Sequence, residues 1–133
     1  ALGMVNLGRG SNPGLEDLKL DSRLLSFING GKVAVKPGTE SLDESGGIVG
    51  ASRICSSNFI NVDVTASGAI LALGLTYMKT ENKVQASRLA LPNTHYLLDY
   101  VRPDHLMLRV IGKSIILWSA VEPTDQWVMS QLP

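Results

Sequence analysis

The sequence has 133 residues, of which 44% are hydrophobic and 18% charged, and its twelve Lys and Arg residues balance twelve Asp and Glu residues. This composition excludes disorder throughout the chain, and the zero formal charge removes the electrostatic footprint of a nucleic-acid-binding protein. The single cysteine excludes an internal disulfide and a cysteine-cluster metal site, and the most apolar uncharged run, residues 64–78, is shorter than the about 20 residues that span a bilayer.

The chain begins directly on an apolar run, ALGMVNL, with no helix-capping residue in front of it. A terminus usually carries polar residues or a helix start signal. We therefore expect the chain to be a segment of a longer polypeptide.

Residues 21–29 have the spacing of a short helix. Leu24, Leu25 and Ile28 fall on one face, and the glycine pair that starts at Gly30 is a stop signal. We predict a helix that buries these three apolar side chains.

A β insertion is predicted after this helix. Residues 32–36 and 59–64 alternate apolar and polar side chains, which is typical of strands, and we expect them to pair as a hairpin. The Gly and Ser content of residues 37–58 predicts a mobile loop between them. The predicted organisation is a partial repeat at 1–30, a β and loop insertion at 31–64, and a repeat with following helices at 65–133.

The next segment predicts a buried helix from a cap at Thr65 or Ser67 to about Lys79. It is apolar on all sides, which is typical of a helix in an interior. Gly68 and Ala72 are four residues apart and share a face, where small side chains let another backbone approach closely.

Shorter helices are predicted in the second half of the chain. One covers residues 81–90 and ends before Pro92, a second covers 94–101, and a final one at 125–131 presents Trp127 and Val128.

A longer helix is predicted from Pro103 to about Ser119, because proline suits a first helical turn. His105, Arg109 and Lys113 form a narrow polar stripe on it, and most of the remaining surface is apolar. A helix of this kind contacts neighbours on at least two sides. We regard the three polar residues of the stripe as a candidate partner surface.

An internal repeat unites these elements. A small-apolar-Gly pattern occurs twice at an offset of 71 positions, and each copy continues through a polar turn to a stretch with paired leucines. Such self-similarity is typical of folds in which each helix pair buries its face on its neighbours. The predicted structural positions of the repeat are Ala1, Leu2, Gly3, Gly68, Ala72, Leu73 and Gly74. We predict a mainly α-helical solenoid of helix pairs, and we expect two incomplete repeats in isolation to be marginally stable or to self-associate.

No catalytic constellation emerges from the residues. The run Gly8–Gly14 fits neither the dinucleotide nor the phosphate-loop spacing and is better interpreted as a turn between helices. His95 and His105 are ten apart without the acidic pattern of a metal site, and no nucleophile-elbow motif is present. We predict no catalytic residue, no metal and no cofactor.

The chain resembles a known family. The segments that carry the resemblance are INVDVTASGAILALGLTYMKTEN, LPNTHYLLDYVRPDHLMLR, IILW, VEPT and QWVMSQLP. They are similar to the proteasome/cyclosome repeat region in the family of largest subunits of the anaphase-promoting complex (cyclosome). The resemblance covers the whole chain and is weakest over residues 32–57.

The resemblance implies a toroid of helix pairs in two concentric layers, within a scaffold subunit of a multi-subunit ubiquitin ligase in the nucleus and cytoplasm. The implied partners are other subunits of the ligase, including the substrate-recognition subunit and the coactivator, without nucleic acid or membrane. Ligase chemistry would belong to other subunits.

Two alternatives remain at this point. The small-residue helix alone also fits the non-ATPase scaffold subunits of the proteasome regulatory particle, from which the segment after Pro92 separates this chain. A small soluble hydrolase would need clustered titratable groups in a pocket.

Overall fold

The computed structural model describes residues 1–10, 19–32, 55–56 and 59–132, and these residues are mainly α-helical. The helices are α1 (Leu2–Val5), α2 (Leu20–Asn29), α3 (Val62–Thr76), α4 (Lys83–Ser87), α5 (His95–Leu98), α6 (Pro103–Ile116) and α7 (Asp125–Ser130), with a 3-10 turn at Trp118–Ala120. Two short strands, β1 (Cys55–Ser56) and β2 (Phe59–Ile60), pair antiparallel, with Cys55 opposite Ile60.

Helix α3 is the centre of the fold. It packs against α1, α2 and α6, and its Ile70 and Leu73 side chains are completely buried. Because the helix is apolar on every side, it has no polar face to turn to water. The buried hydrophobic core consists of Leu20, Leu24, Ile28, Ala66, Ala69, Ile70, Leu73, Tyr77, Ala86, Leu89 and Ile116.

Glycines set the distance between α3 and two of its neighbours. A Cβ on Gly74 would lie 3.0 Å from the Cα of Gly112 on α6, and a Cβ on Gly3 would lie 2.8 Å from the Cα of Ala72. Contacts this close are backbone against backbone, which side chains would prevent. Small residues thus line the seams between these helices at Gly3, Ala72 and Gly74.

The turns after α1 and α3 each make a matching pair of hydrogen bonds to the end of a helix that follows later in the chain. After α1, the N–H groups of Gly8 and Gly10 donate to the carbonyls of Leu75 (3.0 Å) and Thr76 (2.8 Å) at the end of α3. These bonds supply partners for helix-end carbonyls that have none within their own helix.

The second pair lies at the end of α6. The N–H groups of Lys79 and Glu81 donate to the carbonyls of Ile115 (3.0 Å) and Ile116 (3.1 Å). Lys79 has the same left-handed backbone (φ 57°) as Gly8 (φ 64°). The donors of the second pair follow those of the first by 71 positions, which is the offset of the sequence repeat.

The strand predicted over residues 59–64 is wrong in its second half. The strand ends at Ile60, and α3 begins at Val62 with Asn61 at its N-cap position. The alternation in FINVDV suits a strand, but Val62 packs against the buried core together with Ala66, four residues later, and this is helical spacing. Asp63 in the first turn also favours the positive end of the helix dipole.

The partner of β2 also differs from the prediction. Phe59–Ile60 pairs with Cys55–Ser56, two residues that composition had assigned to the loop, and Lys32 makes an isolated bridge to Phe59. The predicted strand residues 33–36, and the rest of the loop apart from Cys55–Ser56, lie outside the described residues.

Several helix ends differ from the sequence prediction. Neither Thr65 nor Ser67 caps α3; instead, the Thr65 hydroxyl donates to the carbonyl of Phe27 (2.8 Å) and joins α2 to α3. Helix α3 ends at Thr76, because Lys79 has left the helical backbone conformation to reach Ile115.

The helices after α3 are also shorter than predicted. Helix α4 starts after a cap by Asn82, whose Oδ1 accepts from the N–H groups of Val84 and Gln85 at 3.1 Å each. It covers Lys83–Ser87 and continues only as tighter turns. Helix α6 stops at Ile116 before the 3-10 turn, whereas the helix predicted to present Trp127 and Val128 is present as α7.

Candidate interaction surfaces

An apolar groove lies on the side of α6 that faces away from α3. Met107 and Ile111 on α6 are 58% and 40% exposed, and Val128 on α7 is 52% exposed. The groove between the two helices encloses about 340 Å³. Contiguous exposed apolar surface in a folded protein commonly marks an interaction site. We name this surface, lined by Leu106, Met107, Val110, Ile111, Trp127 and Val128, the α6/α7 groove.

A second apolar groove follows α3. It encloses about 490 Å³ and is lined by residues of α1, α2 and α3, with Gly68 in its wall. Nothing described lies within 4 Å of where a Cβ on Gly68 would be. The close approach expected at Gly68 is therefore not made by the described residues. We name this surface, lined by Leu2, Phe27, Val64, Gly68 and Ala72, the α3 groove.

The polar stripe of α6 faces inward, toward α3 and the turn after α4. His105 and Gly112 are buried, Arg109 is half-buried, and a Cβ on Gly112 would lie 2.8 Å from Leu89 Cδ1. The apolar side of α6 is the one left open. His105 and Arg109 line a cleft of about 310 Å³ between the start of α6, the start of α3 and the end of α2.

Lys113 lies apart from this cleft, in the last turn of α6, where a cation favours the negative end of the helix dipole. That the three stripe residues contact a partner stays a prediction.

A polar cluster joins α2 to the segment after α3. The Tyr77 hydroxyl donates to Asp21 Oδ2 (2.6 Å), and Gln85 Nε2 donates to the same oxygen (2.6 Å). Arg88 Nη1 donates to Gln85 Oε1 (3.2 Å). Periodicity gives no signal for this cluster, because Asp21 is 56 residues from Tyr77.

The glycine-rich turn after α1 has a structural explanation over its described part. The N–H groups of Gly8 and Gly10 are bonded to carbonyls of α3, and a side chain at Gly10 would overlap the Tyr77 ring. These donors are therefore engaged and do not face a phosphate. Residues 11–14 of the run lie outside the described residues.

Titratable groups are spread through the described part of the chain. His95 is exposed at the start of α5, ten residues from buried His105. No group of three or more His, Cys, Asp or Glu residues that would hold a metal ion occurs within residues 1–10, 19–32, 55–56 and 59–132. Among the described helices, none combines the length and the apolar character needed to cross a bilayer.

Two electrostatic contacts shape the ends of α6. Arg102 makes a two-pronged ion pair with Asp104 (Nε–Oδ1 and Nη2–Oδ2, both 3.0 Å), which lowers the pKa of that carboxyl. At the other end, the N–H of Ser119 donates to Glu81 Oε1 (3.0 Å), and hydrogen bonds from Ser119 lower the pKa of Glu81.

Comparison with known proteins gives a consistent family. The family model described as the APC1 fifth domain matches residues 1–133. Anaphase-promoting complex subunit 1 is 44% identical over 133 residues in Arabidopsis thaliana and 40% identical over 134 residues in Homo sapiens. A protein named negative regulator of mitosis in Emericella nidulans is 32% identical over 134 residues.

Each match covers 100% of this chain but only 8%, 7% and 5%, respectively, of these relatives, so the chain spans less than a tenth of their length.

The described residues thus form a mainly α-helical module whose open surfaces are apolar grooves. Because the family model matches the chain from end to end, the chain belongs to the APC1 fifth-domain family.

Proposed function

We propose that this chain is a scaffold segment of the anaphase-promoting complex, a ubiquitin ligase that acts in mitosis. The family assignment supports this, since relatives that share the whole chain are named as subunit 1 of that complex or as a regulator of mitosis. The same assignment favours the cyclosome over the proteasome regulatory particle. Its location would be the nucleus and cytoplasm.

The role that we propose is non-catalytic. The segment positions other subunits, the substrate-recognition subunit and the coactivator relative to the ligase's catalytic arm. The observation that carries this proposal is the pair of open apolar grooves on either side of a closely packed helix seam. Surfaces of this kind suit protein contacts.

The finer architecture that we propose is a solenoid of helix pairs that closes into a toroid. The recurrence of the same two hydrogen bonds, 71 positions apart, supports it, because the turn after α1 contacts the end of α3 in the way that the turn after α3 contacts the end of α6. In such an array each unit contacts only its neighbours, and the end units leave apolar faces open.

Two substitutions in the full-length protein test the scaffold role. Gly68→Leu fills the α3 groove at a site where a Cβ meets nothing in this fold, and Met107→Asp places a charge in the α6/α7 groove. Both should leave the fold intact and weaken contacts with neighbouring units or subunits. The readouts are the subunit composition of the purified complex by native mass spectrometry and its ubiquitylation of substrates.

The matched control is Lys83→Leu, which adds an apolar side chain at an exposed position on α4 that lines neither groove. We expect both groove variants to lose subunits or substrate ubiquitylation relative to this control. Unchanged composition and activity in both would contradict the proposal. The segment can also be mixed with the isolated catalytic subunits, without the rest of the complex. If the variant segments still lower ubiquitylation relative to the wild-type segment in this mixture, the segment has a catalytic role instead.

A further inference from the structure

The cleft that contains His105 and Arg109 combines buried polar groups with apolar walls. Val62, Ala66 and Ile70 contribute from α3, and Ile28 from the end of α2. Its volume of about 310 Å³ is large enough for a side chain from outside. The cleft is a separate site, because His105 and Arg109 line neither the α6/α7 groove nor the α3 groove.

Arg109 makes no ion pair with any of the described residues, although Asp63 lines the same cleft. Its Nη1 donates to the carbonyl of Ala90 (3.3 Å), whereas its buried Nε has no hydrogen-bond partner among the described residues. No described carboxylate lies within 4.0 Å of its guanidinium. Burial lowers the pKa of Arg109. Leaving a buried donor of a charged group without a partner costs free energy.

Arg102 provides an internal comparison. It lines the same cleft, but both oxygens of Asp104 bind its guanidinium at 3.0 Å. Its charge is therefore satisfied, and the same chain shows the two-pronged carboxylate pairing that Arg109 lacks.

His105 adds a second polar side chain to the cleft, one turn before Arg109 on the same helix. Its side chain is 5% exposed, and its Nε2 lies 4.0 Å from Asp104 Oδ2, which is too long for a hydrogen bond. No described residue makes a hydrogen bond to either ring nitrogen. A ring nitrogen and a guanidinium on one helix face can both donate to one acceptor group.

We propose that this cleft binds a carboxylate, supplied by an Asp or Glu side chain of a partner polypeptide. A planar carboxylate matches the fork of donors that arginine presents. The apolar part of the wall suits the methylene groups of such a side chain. A phosphate group fits less well, because Asp63 also lines the cleft and would repel a dianion more strongly than a single carboxylate.

The test places a photo-crosslinking residue, p-benzoylphenylalanine, at Asn29, an exposed residue in the cleft wall. The substitution is made in the full-length protein, purified in its native assembly, and crosslinked peptides are identified by mass spectrometry. We expect crosslinks to a partner peptide that carries Asp or Glu near the crosslinked position. Arg109→Gln should reduce their yield about tenfold, as expected for loss of a charge-assisted hydrogen bond.

A matched probe separates the carboxylate from general peptide binding. Millimolar N-acetyl-glutamate amide should compete with the crosslink, whereas N-acetyl-glutamine amide should not. Lys83→Gln removes one positive charge from an exposed site on α4 and should leave the yield unchanged. Arg109→Glu combined with an Arg in place of the mapped acidic residue should restore the crosslink, which a merely misfolded Arg109 variant would not allow.

Three results would overturn the assignment. These are crosslinks that persist in Arg109→Gln, crosslinks only to residues 33–54 of the same chain, and the absence of any partner crosslink in an assembly of unchanged composition. If the groove variants lose subunits from the assembly but keep this crosslink, the cleft binds its partner independently of the scaffold contacts.

Discussion

A Cβ on Gly74 would lie 3.0 Å from the Cα of Gly112, so α3 and α6 meet backbone to backbone where both helices carry glycine. A Cβ on Gly112 would in turn lie 2.8 Å from Leu89 Cδ1 and 3.4 Å from Ile70 Cγ2. The close packing of α3 on α6 therefore requires that Gly74 and Gly112 carry no side chain. Adding a side chain at either position should destabilise this packing.

Gly74→Leu should lower the free energy of unfolding by roughly 1 to 3 kcal/mol, because the new side chain has to push two backbones apart. Urea unfolding of the 133-residue chain measures this. The matched control is Gly68→Leu on the same helix, where nothing lies within 4 Å of the new Cβ. Because glycine disfavours helices, the control should be neutral or stabilise by up to about 1 kcal/mol. Equal effects of the two substitutions would contradict the seam.

Gly3→Ala should loosen α1 from α3, because its Cβ would lie 2.8 Å from the Cα of Ala72 and no flexible side chain can yield there. The loosening would release the bonds from the Gly8 and Gly10 N–H groups to α3. We expect faster hydrogen exchange at these two amides, while the Lys79 N–H, bonded to Ile115 at the other seam, stays protected. Uniformly faster exchange would instead indicate global destabilisation.

Tyr77→Phe should cost about 1 to 2 kcal/mol of stability, because it removes the hydroxyl that donates to Asp21 and leaves a polar cluster incomplete. Thermal unfolding measures the change. Tyr100→Phe is the control, since among the described residues its hydroxyl bonds only to exposed Tyr96, and its loss should have little effect. A Tyr77→Phe variant as stable as the Tyr100→Phe variant would show that the cluster contributes nothing.

Local patterns in the sequence predict the long helices but not all of their ends. The helix at 20–29 follows from apolar spacing, the one at 62–76 from a continuous apolar run, and the one at 103–116 from its starting proline; the buried Leu24 and Ile28 were expected. The start of α3 was misjudged because FINVDV alternates like a strand, whereas tertiary packing of Val62 decides in favour of a helix. The local pattern of residues 62–64 favours a strand, but the packing of Val62 against residues distant in sequence favours the helix that forms.

The candidate site was only partly predictable. The close approaches at Gly3 and Gly74 follow from small residues in an apolar helix. The inward orientation of His105 and Arg109 could not be predicted from the sequence, since polar residues on a helix ordinarily face water. Which side of α6 is covered depends on α3 and the turn after α4, and no pattern within α6 contains that information.

The contact between Glu81 and Ser119 should depend on pH. Hydrogen bonds from Ser119 lower the pKa of Glu81 in the folded state. A lowered folded-state pKa means that this stabilisation is present above the ordinary glutamate pKa and is lost as pH falls through the folded-state value. The carboxyl resonance of Glu81 should titrate below the ordinary glutamate pKa in an NMR experiment. Ser119→Pro, which removes both the Ser119 hydroxyl and its donating N–H, should return the pKa of Glu81 toward the ordinary value. An unchanged titration would exclude this contact.

The isolated chain should self-associate through the α6/α7 groove. Met107, Ile111 and Val128 are 58%, 40% and 52% exposed, and the zero formal charge provides little repulsion between copies. Light scattering should show a mass that rises with concentration, and Met107→Lys should shift it toward the monomer. Because added charge alone opposes association, Val84→Lys, at an exposed apolar residue on α4 outside the groove, is the control. Only Met107→Lys should shift the mass strongly toward the monomer. If Val84→Lys has an equal effect, association depends on net charge or on a surface other than the groove.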